Sequence, residues 1–288
     1  MQYLAPTTSA AAVAALAACN GDARLLAGGT DLLVRLQADM IEPDLLVDIK
    51  HITACQSIEQ TDAGFVIGAA VPSAELAEHA GLCRAWPGLV EAMGLVGSTQ
   101  VQGRATLTGN LCNASPAADS VPAMVAADAI ANIVGPAGRR QIAVADIPVA
   151  PGQTSLAHDE MIESLQLPAR PARSADAYLR FIPRTEMDIA VVGAAVNLTL
   201  DAAGICTQAR VAVGAVGPTV ILVEAAAKAI VGTQLDATAL NALAAACNAA
   251  ATPISDKRGT AEFRQHTVAV IARRAAAIAL SRASQHQV

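Results

Sequence analysis

Residues 97–128 read GSTQVQGRATLTGNLCNASPAADSVPAMVAAD, and small, hydroxyl and amide side chains crowd together there as nowhere else in an alanine-rich chain. Gly97, Gly103 and Gly109 let backbone come close to a ligand, while Thr106, Thr108, Asn110, Asn113 and Ser115 offer side-chain donors beside their own amides. Pro116 and Asp119 lead into an apolar run, 121–131, expected to form a helix whose positive N-terminal end faces an anion. Read alone, the stretch fits two things equally: a cradle for a diphosphate, or a long and well-capped surface loop.

A second stretch, RLLAGGTDLL at 24–33, puts a short apolar strand before Gly28 and Gly29 and a helix start at Thr30 and Asp31. Strand, tight turn and helix make another small anion cradle. No Gly-Lys-Ser/Thr follows, so it is not a Walker loop, and it lacks the third glycine of the dinucleotide fingerprint.

Together AGGTDLL (27–33) and ATLTGNLCNASPAAD (105–119) resemble the two flavin-binding motifs of the FAD subunit of the xanthine dehydrogenase family, the medium subunit of molybdenum hydroxylases. FIPRTEMDIAVVGAAV (181–196) and ISDKRGTAEFRQHTVAVIARRA (254–275) extend the resemblance, in the family's order, over nearly the whole chain. It implies an α+β protein. A FAD-binding domain of the PCMH, vanillyl-alcohol-oxidase-like type would occupy residues 1–172, in subdomains of about 1–60 and 61–172. A C-terminal domain of the CO dehydrogenase flavoprotein type would follow over 173–288.

The resemblance also implies site residues. Leu25, Leu26, Ala27, Gly28, Gly29, Thr30, Asp31 and Leu32 would wrap the FAD, with the amides of Gly28, Gly29 and Thr30 on its diphosphate. Val101, Thr106, Gly109, Asn110, Asn113 and Asp119 would supply the second wall, Asp119 accepting from the adenosine ribose, and Ile162 would lie beside the flavin. Arg180 stands where some relatives carry Lys near the isoalloxazine; its alternative reading is an arginine paired with a carboxylate. Thr108 stands where many relatives have a second glycine, so the backbone approach there is expected to be less close. Arg184 and Asp188 read as an ion pair. Implied partners are a small subunit with two [2Fe-2S] clusters, a large molybdopterin-binding subunit and an external electron acceptor such as NAD+ or oxygen. The implied assembly is a heterotrimer that pairs into a heterohexamer. With no cysteine-rich insertion for an extra cluster, the chain departs from the benzoyl-CoA reductase branch. A self-contained flavin oxidase or reductase, and a flavin-free scaffold subunit, are the competing functions.

Composition narrows the classes independently. At 288 residues, 53% hydrophobic and only 2% aromatic, the chain can bury a large core built from Ala, Val, Leu and Ile. A formal charge of -6, 15% charged residues and no long Lys/Arg cluster read against nucleic acid. The apolar run near 268–280 is broken by Arg273 and Arg274, so no membrane span is expected. No basic residue precedes the apolar N-terminal segment, which reads against a secretory signal, and a cytoplasmic location is expected. The six cysteines are scattered singly, the five histidines form no HxxxH or HExxH pattern, and GxSxG is absent. The pairs Asp159/Glu160 and Glu186/Asp188 read as solvated turns. No catalytic residue and no metal site is expected.

Along the chain, Thr7 or Thr8 is expected to cap a helix to about residue 19, followed by a β-α-β unit with strands at 24–27 and 44–48 around a helix at 31–37. A strand at 64–70, a helix capped by Ser73, a helix at 86–93, a hairpin around 135–138 and a strand at 161–167 come next. ARPARSAD at 169–176 carries the Pro and Arg of a linker. Three strands, at 177–182, 190–200 and 209–216, and three alanine-rich helices, at 223–231, 238–250 and 260–283, complete the reading.

Overall fold

A computed structural model describes residues 1–184 and 187–285. The first unit is β1 (Gln2–Leu4), α1 (Ser9–Ala18), β2 (Ala23–Leu26), α2 (Leu32–Gln37) and β3 (Leu45–Asp48). Its three strands form a parallel sheet in the order β1-β3-β2, so β3 is central and all four of its residues are buried. The Thr8 hydroxyl caps α1 by accepting from the Ala11 N–H at 3.2 Å, and Ala12, Val13 and Leu16 bury the helix's inner face. In contrast, α2 buries none of its residues.

Next come β4 (Ile58–Thr61), β5 (Gly64–Gly68), α3 (Ser73–Glu78), α4 (Ala80–Ala85), α5 (Pro87–Gly94), α6 (Thr99–Gln102), α7 (Leu107–Cys112) and α8 (Ser120–Ala126). Strands β6 (Ile130–Gly135), β7 (Gly138–Ala143), β8 (Pro148–Ala150), β9 (Gln153–Thr154) and β10 (Met161–Pro168) follow. An antiparallel sheet ordered β4-β5-β10-β6-β7 carries this part, with β8 and β9 as a separate ribbon. Glu163 in β10 accepts from the Ser9 hydroxyl at 2.5 Å and from Arg139 Nη2 at 2.9 Å, which ties α1 to this sheet. Its hydrogen bonds from Arg139 hold the Glu163 carboxyl below the ordinary 4.5, against the opposing pull of burial. A depressed folded pKa contributes stability that is complete above 4.5 and lost as pH falls through the folded value. Urea midpoints should therefore decline below that range, and Glu163→Gln should flatten the decline; an unchanged acid limb would refute the assignment.

The C-terminal part is an antiparallel sheet, β11 (Ser174–Phe181), β12 (Val192–Leu200), β13 (Cys206–Gly214) and β14 (Ile221–Leu222), followed by α9 (Glu224–Ile230), α10 (Ala237–Ala250) and α11 (Ala261–Gln285). Strand alternation makes the sheet two-faced. Ala177, Ala194, Val196, Val211 and Val213 face the core shared with α9 to α11, whereas Tyr178, Ala195 and Ala212 face the core built on α5 and α8. Fully buried Ala272, Ala275, Ala276, Ala279 and Ala283 let α11 lie close on β11 and β12. The result is an α+β fold in which one sheet is the shared wall of two cores.

Several local expectations are corrected. Pro72, not Ser73, occupies the N-cap of α3, and the Ser73 hydroxyl instead donates to the Gln102 carbonyl at 3.0 Å. The polar stretch 97–119 contains two short helices rather than a continuous loop. The helix expected to reach residue 131 ends at Ala126, because Asp128 turns left-handed (φ 58°) and the chain enters β6. The supposed linker is structural: the Arg170 guanidinium lies 3.7 Å over the Trp86 ring and 3.0 Å from Asp176, with its side chain 7% exposed.

Candidate functional site: a cleft between two glycine-bearing turns

The chain leaving β2 turns sharply through Gly28 and Gly29, the latter left-handed at φ 76°. A Cβ on Gly28 would fall 1.9 Å from the Arg104 carbonyl oxygen, so the first motif lies directly against the backbone that enters the second. On that second wall the Thr106 hydroxyl caps α7 by accepting from the Gly109 N–H at 2.9 Å. The Ser73 N–H donates to the Ala105 carbonyl at 2.8 Å and fixes the wall onto α3. Asn113 Nδ2 donates to Asp31 Oδ1 at 3.3 Å, bridging the walls. Below the first turn, Lys50 Nζ donates to the Ala27 carbonyl at 3.2 Å and to Asp48 at 2.7 Å, and Asp48 also accepts from the Tyr3 hydroxyl at 2.6 Å. The cleft between the two walls is half open, and about 1040 Å³ there is unfilled by protein atoms, open solvent included.

From the first motif, Leu25, Ala27, Gly28, Gly29, Thr30, Asp31 and Leu32 line this cleft, while Leu26 turns inward and is buried. Thr106, Gly109, Asn110 and Asn113 line the facing wall, and Ile162 of β10 lies at its base. Val101, Asp119 and Arg180 lie elsewhere. Val101 packs in α6 against the central core. Asp119 and Arg180 meet each other instead: Arg180 Nη1 donates to Asp119 Oδ2 at 2.6 Å, and the Tyr178 hydroxyl donates to Asp119 Oδ1 at 2.7 Å. Arg24, Arg35, Ile49, Val96, Thr108, Cys112 and Leu156 also line the cleft. Arg35, one helical turn after Leu32, was recoverable from periodicity, and Val96 directly precedes the polar stretch 97–128; Leu156 arrives through a distant loop and carried no local signal.

Burial raises the Asp31 carboxyl above its ordinary value, with Arg35 opposing. Burial likewise raises Asp119, against the pull of Arg180 and the hydrogen bond from Tyr178. The adjoining Ser120 hydroxyl donates to Asn110 Oδ1 at 2.6 Å, which leaves Asn110 Nδ2 as the group able to donate into the cleft. Burial pushes the Cys112 thiol up to about 12, so it is no thiolate nucleophile at neutral pH. Arg184 Nε lies 3.2 Å from Asp188, the ion pair read from the sequence. Glu186 and His286 lie outside the described residues. Among the described residues no three His, Cys, Asp or Glu side chains gather to hold a metal ion, and no helix is long and apolar enough to cross a membrane.

Residues 1–170 match the family described as the FAD binding domain in molybdopterin dehydrogenase, and residues 177–279 match the CO dehydrogenase flavoprotein C-terminal domain. The chain is 32% identical to the carbon monoxide dehydrogenase medium chain of Afipia carboxidovorans, over 98% of this chain and 97% of the relative. It is 31% identical to a xanthine dehydrogenase FAD-binding subunit of Escherichia coli, over 88% of this chain and 87% of that one. Among solved structures, carbon monoxide dehydrogenase from Hydrogenophaga pseudoflava superposes with a TM-score of 0.93 at 30% identity, covering 98% of both chains. Quinoline 2-oxidoreductase from Pseudomonas putida 86 superposes at 0.90 with 26% identity and the same coverage. With both domains matched in order and homologues that are oxidoreductase subunits, the chain belongs to the FAD-binding medium subunits of the molybdenum hydroxylase family.

Proposed function

We propose that this chain is the electron-exit subunit of a cytoplasmic molybdenum hydroxylase. It would accept electrons from the [2Fe-2S] clusters of a small companion chain and pass them to NAD+, oxygen or another external acceptor. Substrate oxidation would belong to a large molybdopterin-binding chain, and three chains would pair into a heterohexamer. The carrying observation is that two turns distant in sequence, each bearing glycine where a side chain would collide, close on one cleft.

The residues present fit FAD. Gly28 leaves no room for a side chain, and the Thr108 hydroxyl in the second wall has no protein partner. Backbone at Gly28, Gly29 and Thr30 would hold the diphosphate, with Thr106, Gly109, Asn110 and Asn113 opposite and Ile162 against the flavin. Asp119 pairs with Arg180 beside this wall, and the next residue, Ser120, would orient Asn110 through its hydroxyl. When bound, FAD supplies the redox chemistry; the protein fixes its position and surroundings. The functional division of the chain would fall near residue 172.

Exposed apolar side chains support companion chains. Leu33, Val34 and Met40 are 42%, 60% and 69% exposed. Phe181 and Phe263 meet edge to face at 5.7 Å and are both partly exposed. The relatives' names, medium chain and FAD-binding subunit, point the same way.

The test is the visible spectrum of the tagged full chain, purified with what accompanies it, followed by acid release of flavin. Stoichiometric FAD with iron–sulfur absorbance from companion chains is the expected result. A chain that takes up no flavin after incubation with FAD would refute the proposal; FAD without companions would favour a self-contained flavoenzyme.

A further inference from the structure

We infer that Lys50 is a positioning residue for the cofactor, fixing the Ala27–Gly28 peptide so that the Gly28 N–H faces the cleft; this rests on the flavin reading of that cleft. Lys50 Nζ donates to the Ala27 carbonyl at 3.2 Å and to Asp48 Oδ1 at 2.7 Å. Ala27 and Gly28 line the cleft, whereas Lys50 lies behind them and does not. Across a trans peptide the C=O and the following N–H point in opposite directions, and none of the described peptides is cis. An ammonium that holds the Ala27 oxygen from behind therefore turns the Gly28 N–H to the other side. The amides of Gly28, Gly29 and Thr30 donate to no protein acceptor among the described residues, which leaves them available to an anion.

A turn built on two glycines needs such a hold. Both residues have wide backbone freedom, so their own chemistry does not stop the peptide between Ala27 and Gly28 from flipping. Backbone bonds fix the chain on either side of it: the Ile49 N–H donates to the Leu26 carbonyl at 3.1 Å, and the Leu33 N–H to the Gly29 carbonyl at 2.9 Å. Between them, among the described residues, the bond from Lys50 is the one made to the Ala27 or Gly28 carbonyl. Lys50 is itself held. Asp48, 4% exposed, accepts from the Lys50 N–H at 2.9 Å and from the Tyr3 hydroxyl at 2.6 Å, besides the ammonium. The relay thus runs from Tyr3 in β1 through Asp48 in β3 to the turn that leaves β2, and it engages all three strands of the first sheet. A charged donor makes the stronger kind of bond, and it polarises the peptide so that the Gly28 N–H becomes a better donor in turn.

The experiment separates the hold on Ala27 from the neutralisation of Asp48. The full chain is stripped of flavin and titrated with FAD by fluorescence quenching, the apo forms are melted, and the phosphorus NMR spectrum of bound FAD is recorded at saturation. Lys50→Met should weaken FAD binding by about tenfold and shift the diphosphate resonances. It should also lower the apo melting temperature, because Asp48 loses its counter-charge. Adding Asp48→Asn should restore the melting temperature while affinity and resonances stay at their Lys50→Met values. Tyr3→Phe takes the other side-chain partner from Asp48 but leaves the Ala27 bond, so it should lose stability and keep FAD affinity within a factor of about three. Native affinity in Lys50→Met would overturn the inference, and so would recovery of affinity in the double variant, which would show Lys50 serving Asp48 alone. A native chain that binds no FAD would instead bring down the flavin reading itself, and this inference with it.

Discussion

Gly28→Ala should cost the chain both stability and flavin. The added methyl would sit 1.9 Å from the Arg104 carbonyl oxygen and 2.6 Å from its carbonyl carbon, and both are backbone atoms that cannot rotate away. Relief requires the turn to move off the second wall. Overpacking of this kind costs about 1–3 kcal/mol, and each kcal/mol lowers the melting temperature of a chain this size by roughly 2–4 °C. The effect on FAD should be larger than the effect on stability, because the movement widens the one gap across which both motifs must reach the same cofactor. A fall in affinity of more than tenfold, or about 1.4 kcal/mol, is expected in a fluorescence titration of the apo chain. Gly29→Ala gives a graded comparison. An alanine there would be strained at the φ of 76°, but its Cβ would meet only the flexible side chains of Leu33 and Leu26, at 2.9 and 3.0 Å. It should lose stability through strain yet keep more of its FAD affinity. Native affinity in Gly28→Ala would show that the contact between the turns does not shape the cleft.

What the sequence made legible was whatever local chemistry decides. Apolar runs bounded by turn residues, at 190–200 and 209–216, marked β12 and β13, and the alanine-rich helical spacing of 260–283 marked α11. Glycine and hydroxyl content located both walls of the cleft, since close backbone approach and capping need those residue types. Decisions made by tertiary contact were not legible. Strand β1 is three residues long and exists because Gln2–Leu4 pairs with β3, 43 positions away in register. Asp119 was read toward the cofactor, and Arg180 either toward the flavin or as paired with a carboxylate; that the two, 61 residues apart, are each other's partners depends on how β11 packs over α8. Arg170 shows the same limit. A Pro- and Arg-bearing segment after a strand reads as a linker, and only the position of Trp86 beneath it reveals a buried charge.

That buried charge should make Asp176→Asn strongly destabilising. Arg170 and Asp176 have side chains only 7% and 6% exposed and approach to 3.0 Å, yet neither Arg170 Nη2 nor Asp176 Oδ1 makes a hydrogen bond of good geometry. Burial dominates both partners: it raises the Asp176 carboxyl despite Arg170, and it lowers Arg170 to about 10 despite Asp176. Attraction within the pair therefore only partly offsets the cost of removing it from water. Asparagine keeps an acceptor for the Leu89 N–H, which Asp176 Oδ2 accepts at 2.9 Å, but strips Arg170, stacked over the Trp86 ring, of its counter-charge. Breaking a buried pair from one side costs about 3–5 kcal/mol, whereas replacing both charges is often close to neutral. Arg170→Met with Asp176→Asn should accordingly recover most of the single variant's loss, a large coupling in a urea-melt cycle. Additive single-variant losses would instead mean that the two charges stand apart, and that packing around Trp86, rather than the pair, joins α5 to the C-terminal sheet.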